Sequence, residues 1–107
     1  MRRAAVFACA ALLAAAPAVA ARPSFALRLA PDRFIPSELQ VPSGTRIVLH
    51  VTNTGTVPAE FESADFQRER VIPAGGAITV YVGPLRPGAY VFFNDFKPSV
   101  RGRLVAK

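Results

Sequence analysis

Proline and glycine interrupt this chain so often that a fold built from long helices is excluded. Ten prolines and seven glycines are spread over 107 residues. Proline has no amide hydrogen to donate inside a helix, and both residues favour turns. No segment shows the sustained apolar spacing of a helix. Short strands joined by turns are therefore expected.

The first twenty residues have the organisation of a secretory signal peptide. Arg2 and Arg3 give a positive start, an apolar run spans residues 4–16, and small residues lead up to Ala20. The run is shorter than the roughly 20 apolar residues that a membrane helix needs. We therefore expect a signal peptide over residues 1–20, one domain over residues 21–107, and export to the periplasm.

Cleavage after Ala20 would remove every sulfur atom from the chain. The one Cys and the one Met are Cys9 and Met1, so residues 21–107 contain no thiol and no thioether. Arg2 and Arg3 would also leave, which lowers the net charge of +6 by two. The remaining basic residues form no run interleaved with aromatics, and we expect no nucleic-acid binding and no transmembrane segment.

Residues 24–106 alternate between polar and apolar side chains as β-strands do. The clearest strand spans residues 45–53, where Ile47, Leu49 and Val51 share one face. Other extended segments cover residues 24–29, 34–36, 38–41, 59–62, 68–72, 77–82, 89–93 and 101–106. Turn signals separate them, and this pattern predicts an all-β sandwich or small barrel of seven or eight strands.

Six short motifs follow one another along the predicted strands. They begin at Phe34, Val51, Pro58, Val71, Leu85 and Gly102, and read FIPSELQVPSGT, VTNTG, PAEFES, VIPAGG, LRPGAYVFF and GRLV. In this order they resemble the cupredoxin-like domain of small bacterial periplasmic proteins, and the Pro-Gly-x-Tyr-x-Phe run is the most specific piece. The resemblance implies a Greek-key β-sandwich.

In that family a blue copper ion is held by two His, one Cys and an axial Met. The positions that correspond to these ligands carry Ala59, Asn94, Lys97 and Val100 in this chain. None of the four side chains is a copper ligand of that kind. The resemblance thus implies the fold of a blue copper protein without its type 1 copper site.

Oxygen-bearing side chains lie close to these vacated positions. Glu60 and Glu62 are two apart on one predicted strand and share a face, while Asn94 and Asp95 lie at the vacated loop. Carboxylate and amide oxygens suit hard cations such as ferric iron, manganese or calcium. His50, the only histidine, is a further candidate ligand.

The alternative is that these acids are solvated charges at a sheet edge. In that case Glu62 or Asp65 would pair with Arg68 or Arg70. Lys97 also counts against a metal, since an ammonium group beside the site repels cations. We therefore expect any bound iron or copper to be held weakly.

The resemblance also implies a role. Similar domains accompany ferrous-iron import systems, so we expect a non-enzymatic accessory protein of iron or other metal uptake. Its expected partners are a periplasmic iron-binding protein or an inner-membrane permease. No hydrolase elbow, phosphate loop or zinc-protease motif is present.

Two other functional readings remain open at this point. The domain is alternatively a metal-free interaction module, with Phe93, Phe96 and Lys97 as contact residues. An unrelated immunoglobulin-like domain would share the strand pattern, but it would lack the landmarks at Pro58 and at Pro87-Gly88.

Overall fold

A computed structural model describes residues 2–6, 8, 10–11 and 22–107, and it has an all-β domain. Most of the predicted signal peptide and its cleavage point lie outside the described residues, so both stay predictions. No helix in the described ranges is long and apolar enough to cross a membrane.

Nine strands form two sheets. Their bounds are β1 Ser24–Leu29, β2 Phe34–Ile35, β3 Glu38–Val41, β4 Ile47–Asn53, β5 Ala59–Ser63, β6 Arg68–Ile72, β7 Ala77–Val82, β8 Gly88–Asn94 and β9 Lys97–Ala106. One sheet has the order β2-β1-β4-β7, and the other has the order β3-β9-β8-β5-β6. The β1–β4 and β3–β9 pairs are parallel, and the remaining pairs are antiparallel. The predicted all-β fold is confirmed.

The last strand of the chain is longer than the sequence predicts. The last strand begins at Lys97 instead of residue 101, because β8 turns directly into β9 and Asn94 pairs with Lys97. Asp95 and Phe96 form the two-residue turn between them. The nine strands coincide with the nine extended segments of the sequence, so the expected total of seven or eight was too low, and the short segment at residues 34–36 is a strand of its own, β2, paired with β1.

Three phenylalanines occupy the centre of the core between the sheets. Phe34, Phe61 and Phe92 are each at most 2% exposed. The ring of Phe92 meets Phe34 edge-on, with centroids 4.8 Å apart, and lies 5.5 Å from Phe61. Such contacts add to the stabilisation that burial of the rings supplies.

Gly102 of β9 leaves room for this cluster. It lies opposite Phe92 in the β8–β9 pair. A Cβ atom at this position would lie 2.7 Å from two ring carbons of Phe92 and 2.7 Å from the carbonyl oxygen of Ser37. The absence of a side chain at residue 102 is therefore a packing requirement of the core.

Two arginines join the edge of one sheet to the edge of the other. Arg68 Nε donates to the carbonyl oxygen of Tyr81 at 2.9 Å, and Arg70 donates to that of Thr79 at 3.4 Å. Both arginines belong to β6, the edge strand of the five-stranded sheet, and both acceptors belong to β7. The two arginine side chains thus start from one face of β6, and Glu69 lies on the other face.

Candidate functional site

The outer face of the five-stranded sheet carries a group of acidic side chains. Glu60 and Glu62 project from β5 away from the core, since Phe61 between them is fully buried. Asp95 follows in the turn after β8, and its amide donates to the carbonyl oxygen of Glu60 at 2.9 Å. One carboxylate oxygen from each of the three residues lies within 4.8 Å of the others. We call these three residues the carboxylate cluster.

Glu69 of β6 adjoins the carboxylate cluster. It is the cross-strand partner of Glu62, so both side chains project from the same face of the sheet. Glu60 is its diagonal neighbour on that face, and a proton shared between the two carboxyl groups is the first cause of the raised pKa of Glu60. Sequence reasoning missed Glu69, and the only signal for it was its place on the strand predicted to follow β5.

Glu60 is the most buried member of the carboxylate cluster. Only 8% of the residue is exposed, and its Oε1 atom is shielded from solvent without a hydrogen-bond partner. The hydrogen bond with Glu69, burial, and repulsion by the neighbouring carboxylates raise its pKa to about 7. The pKa of Glu62 is also raised, first by burial and then by the charges of Asp95 and Glu69.

Basic side chains do not neutralise these acids. Within the described part of the chain the one salt bridge joins Arg103 to Glu38, at 2.8 Å. Arg68 and Arg70 donate to carbonyl oxygens of β7, and the guanidinium of Arg101 lies over the ring of Phe93. The alternative that the acids pair with Arg68 or Arg70 is therefore wrong.

Asp65, the other acid in that alternative, binds backbone instead. Its Oδ2 atom accepts a hydrogen bond from the amide of Val91 at 2.7 Å. The bond joins the turn after β5 to strand β8, so this carboxylate has a structural partner and lies outside the carboxylate cluster.

The other two predicted metal ligands have different surroundings. Asn94 is buried, and its Oδ1 atom accepts hydrogen bonds from the amides of Glu60 at 3.0 Å and Phe96 at 3.1 Å. Two donors engage both lone pairs of this oxygen. His50 lies on β4 of the opposite sheet, with Nδ1 3.3 Å from the hydroxyl of Thr79. The structure thus does not bring His50 to the carboxylate cluster.

The four positions that correspond to copper ligands do not form a metal site. Ala59, Asn94 and Lys97 line a cavity of about 350 Å³ at one end of the sandwich, whereas Val100 is 2% exposed and belongs to the core. The ammonium nitrogen of Lys97 lies 3.5 Å from the carbonyl oxygen of Pro31. Across the described ranges, no group of His or Cys side chains is placed to hold a metal ion.

The predicted contact residues lie on two different surfaces. Phe96 is 57% exposed and lines the end cavity together with Lys97. Phe93 instead lies opposite Glu62 in the sheet, with Arg101 over its ring. Only Phe96 and Lys97 therefore share the end surface of the sandwich.

The pKa of Glu60 predicts a stability that falls as the pH rises. Its pKa is about 7 in the folded domain, against an ordinary value of 4.5. Between these values the folded domain keeps a proton that the unfolded chain has released, so deprotonation costs folding free energy. In the presence of a chelator, we expect the melting temperature to fall between pH 4.5 and pH 7 and Glu60→Gln to flatten this decline. Circular dichroism melts of both proteins across this range are the measurement, and parallel curves would contradict the prediction.

Comparison with known proteins agrees with this architecture. The family model described as the cupredoxin-like domain matches residues 2–106. An uncharacterized protein of Rickettsia prowazekii (strain Madrid E) is 38% identical over 64 residues, which are 60% of this chain and 51% of that protein. The chain thus spans about half the length of this curated relative.

Solved structures share the fold at low sequence identity. Auracyanin A from Chloroflexus aurantiacus, described as a "blue" copper protein, is similar with a TM-score of 0.68 at 13% identity, covering 81% of this chain and 100% of that one. Auracyanin from Roseiflexus castenholzii gives 0.67 at 16%, covering 81% and 98%. Amicyanin from Paracoccus versutus gives 0.63 at 13%, covering 78% and 81%.

Proposed function

Because the chain belongs to the cupredoxin-like domain family, we propose that it is an exported metal-handling domain that binds a hard cation at its carboxylate cluster. The blue copper ion of the fold does not fit this chain. Ala59 and Asn94 replace an imidazole and the thiolate, and residues 21–107 contain no sulfur. We therefore assign no electron transfer through a copper–thiolate bond.

The buried, unpartnered Oε1 atom of Glu60 carries this proposal. Once Glu60 has lost its proton, above about pH 7, a shielded carboxylate oxygen without a hydrogen bond is costly unless something positive satisfies it. The neighbouring carboxylates of Glu62 and Asp95 make the cost larger, because all three carry the same charge. A multivalent cation among the three would supply the missing partner and offset the repulsion.

The exposure of the cluster suits binding that is reversible. Asp95 is exposed and Glu62 is half-buried, so an ion would keep water on its outer side and would leave without unfolding of the domain. Such a site suits the capture and transfer of an ion better than permanent storage. Glu60 holds the inner side, while Glu62 and Asp95 bind from the rim.

In the cell, the cation-binding domain would act as an accessory protein of metal uptake. The predicted signal peptide would deliver the domain to the periplasm. The cupredoxin-like domains that this chain resembles accompany ferrous-iron import systems. A periplasmic iron-binding protein or an inner-membrane permease would then receive or supply the ion. Iron and, less favourably, copper are the expected cargo, because oxygen ligands prefer hard cations.

A metal-free interaction module is the second candidate. The end cavity favours it, because Phe96 and Val57 expose 57% and 66% of their surface at its rim. Lys97 adds a positive charge to this apolar surface. A protein partner bound there would be lost in Phe96→Ala regardless of added cations, whereas metal handling would be unaffected.

Cation titration of the purified protein tests the proposed function. We expect Mn²⁺, Ca²⁺ or ferric citrate at mildly alkaline pH to raise the melting temperature, because an ion that binds only the folded state stabilises it. Glu60→Gln should abolish this rise. Glu38→Gln is the matched control, since Glu38 pairs with Arg103 outside the cluster. A melting temperature that no cation raises, or an equal response of Glu60→Gln and the unmodified protein, would overturn the proposal.

A further inference from the structure

We infer that Glu69 is a fourth ligand of the carboxylate cluster, and that the four carboxylates together select trivalent hard cations over Ca²⁺ and Mg²⁺. The inference rests on the proposed function and extends it to the charge class of the ion. Three adjacent elements supply the four groups: β6 gives Glu69, β5 gives Glu60 and Glu62, and the turn after β8 gives Asp95.

The register of β5 and β6 places Glu69 at the cluster. Glu62 and Glu69 are directly opposite, and their Cβ atoms in such a pair are about 5 Å apart. Glu60 lies on the same face two residues before Glu62, so it is the diagonal neighbour of Glu69 across the strand pair, a distance that long side chains span. Glu69 therefore reaches both members of the cluster that project from β5.

The burial of Glu60 shows where a positive charge is missing. Its Oε1 atom is shielded from solvent and has no hydrogen-bond partner, and only 8% of the residue is exposed. The groups facing it are all acidic: Glu69 on β6, Glu62 on its own strand and Asp95 in the turn after β8. When both carboxyl groups are deprotonated, a cation held between Glu60 and Glu69 would replace their repulsion with two attractive contacts.

The distribution of charge favours a cation-binding role for Glu69 over that of an ordinary solvated surface charge. The chain has a net charge of +6 and only seven acidic residues, yet four of the seven meet on this face. Arg68 and Arg70, the sequence neighbours of Glu69, turn to carbonyl oxygens of β7 instead. The described arginines thus leave the negative charge of the four acids uncompensated.

The number of carboxylates determines the charge class of the ion. Coulomb attraction grows in proportion to the charge of the cation, and four carboxylates leave two negative charges uncompensated by a divalent ion but one by a trivalent ion. The exposed side chains of Glu69 and Asp95 leave the ion free to keep part of its hydration shell. A trivalent hard ion is therefore favoured over Ca²⁺ and Mg²⁺.

Terbium luminescence tests the role of Glu69. Tb³⁺ is a trivalent hard cation, and its excited-state lifetimes in H₂O and D₂O report how many water molecules it binds. We expect the unmodified protein to bind Tb³⁺ more tightly than Ca²⁺, and Glu69→Gln to weaken Tb³⁺ binding by at least about ten-fold, since even partners outside the ligand shell are worth this much. We also expect the variant to admit about one more water molecule, which a residue with only a structural role would not change. Glu38→Gln is the control for the loss of one negative charge outside the cluster.

The outcomes separate the two proposals. If the unmodified protein binds Tb³⁺, and Glu69→Gln changes neither the affinity nor the bound-water count, Glu69 is not a ligand and the proposed function stands without it. If Ca²⁺ competes with Tb³⁺ on equal terms, the selectivity for trivalent ions is overturned. If the unmodified protein binds no Tb³⁺, Ca²⁺ or Mn²⁺, both the inference and the proposed function fail.

Discussion

Replacing Phe92 with alanine is expected to lower the free energy of unfolding by about 3–5 kcal/mol, the usual cost of deleting a buried phenylalanine ring. Phe92 is fully buried and its ring contacts both Phe34 and Phe61. The cavity would lie where the two sheets face each other, and neither sheet is able to close it without disturbing its hydrogen bonds. Because domains are stabilised by about 5–15 kcal/mol in total, this single substitution would remove a large fraction of the stability.

Phe96→Ala is the matched control for this experiment. It removes the same ring from a residue that is 57% exposed, so we expect a loss below about 1 kcal/mol. Urea unfolding followed by circular dichroism gives both values. Equal losses in the two variants would contradict the placement of Phe92 at the centre of the core.

Asn94→Leu is expected to cost about 2–4 kcal/mol. Leucine has the same number of side-chain heavy atoms as asparagine but no acceptor for the amides of Glu60 and Phe96, which donate to Asn94 Oδ1 at 3.0 and 3.1 Å. Leaving a buried donor unsatisfied costs about 1–3 kcal/mol, and the part-buried amide of Phe96 adds a smaller loss to that of the buried Glu60 amide. The position that the resemblance assigns to the copper-binding thiolate is therefore, in this chain, a hydrogen-bonding anchor between β5 and the turn after β8.

Gln40→Leu is the control for this substitution. Gln40 is exposed on the edge strand β3 and loses a similar polar group, so the change in stability should stay within about 0.5 kcal/mol. Urea unfolding provides the stability of both variants, and amide hydrogen exchange reports directly on the Glu60 amide. Unaltered exchange of this amide in Asn94→Leu would refute the anchoring role.

Alternating side chains were enough to predict most of the fold. Strands with strong alternation, such as β4 and β7, lie where the pattern indicates, and the shared face of Ile47, Leu49 and Val51 on β4 is the buried one. The start of β9 was missed because Lys97, Pro98 and Ser99 are polar or turn-forming. Pairing with β8 extends the strand to Lys97, and this tertiary interaction is not visible in local sequence.

The part of the candidate site that lies on one strand was predictable from the sequence. The part that depends on how β5 and β6 align with each other was not. The shared face of Glu60 and Glu62 follows from the two-residue period alone. Glu69 joins them only because the turn between β5 and β6, with Gln67 in a left-handed conformation (φ 56°), aligns Glu69 with Glu62. A shift of one residue would have moved Glu69 to the opposite face, and sequence alone does not fix that alignment.

The same strand explains why the predicted ion pairs with arginine were wrong. Arg70 is the cross-strand partner of Phe61, so Arg68 and Arg70 start from the inward-facing side of β6. Because β6 is an edge strand, their long side chains extend past the core to the other sheet. Glu69 points the opposite way and is left with other carboxylates as neighbours.

The hydrogen bonds from Arg68 and Arg70 to β7 also bear on self-association. A strand from another molecule is able to pair with an edge strand whose carbonyl oxygens are free. Such edge-to-edge pairing is a common route to aggregation of β-proteins. Here the carbonyls of Thr79 and Tyr81 are already occupied, and the guanidinium groups add repulsive positive charge at that side. Copies of the domain are thereby discouraged from polymerising through this side of the sandwich.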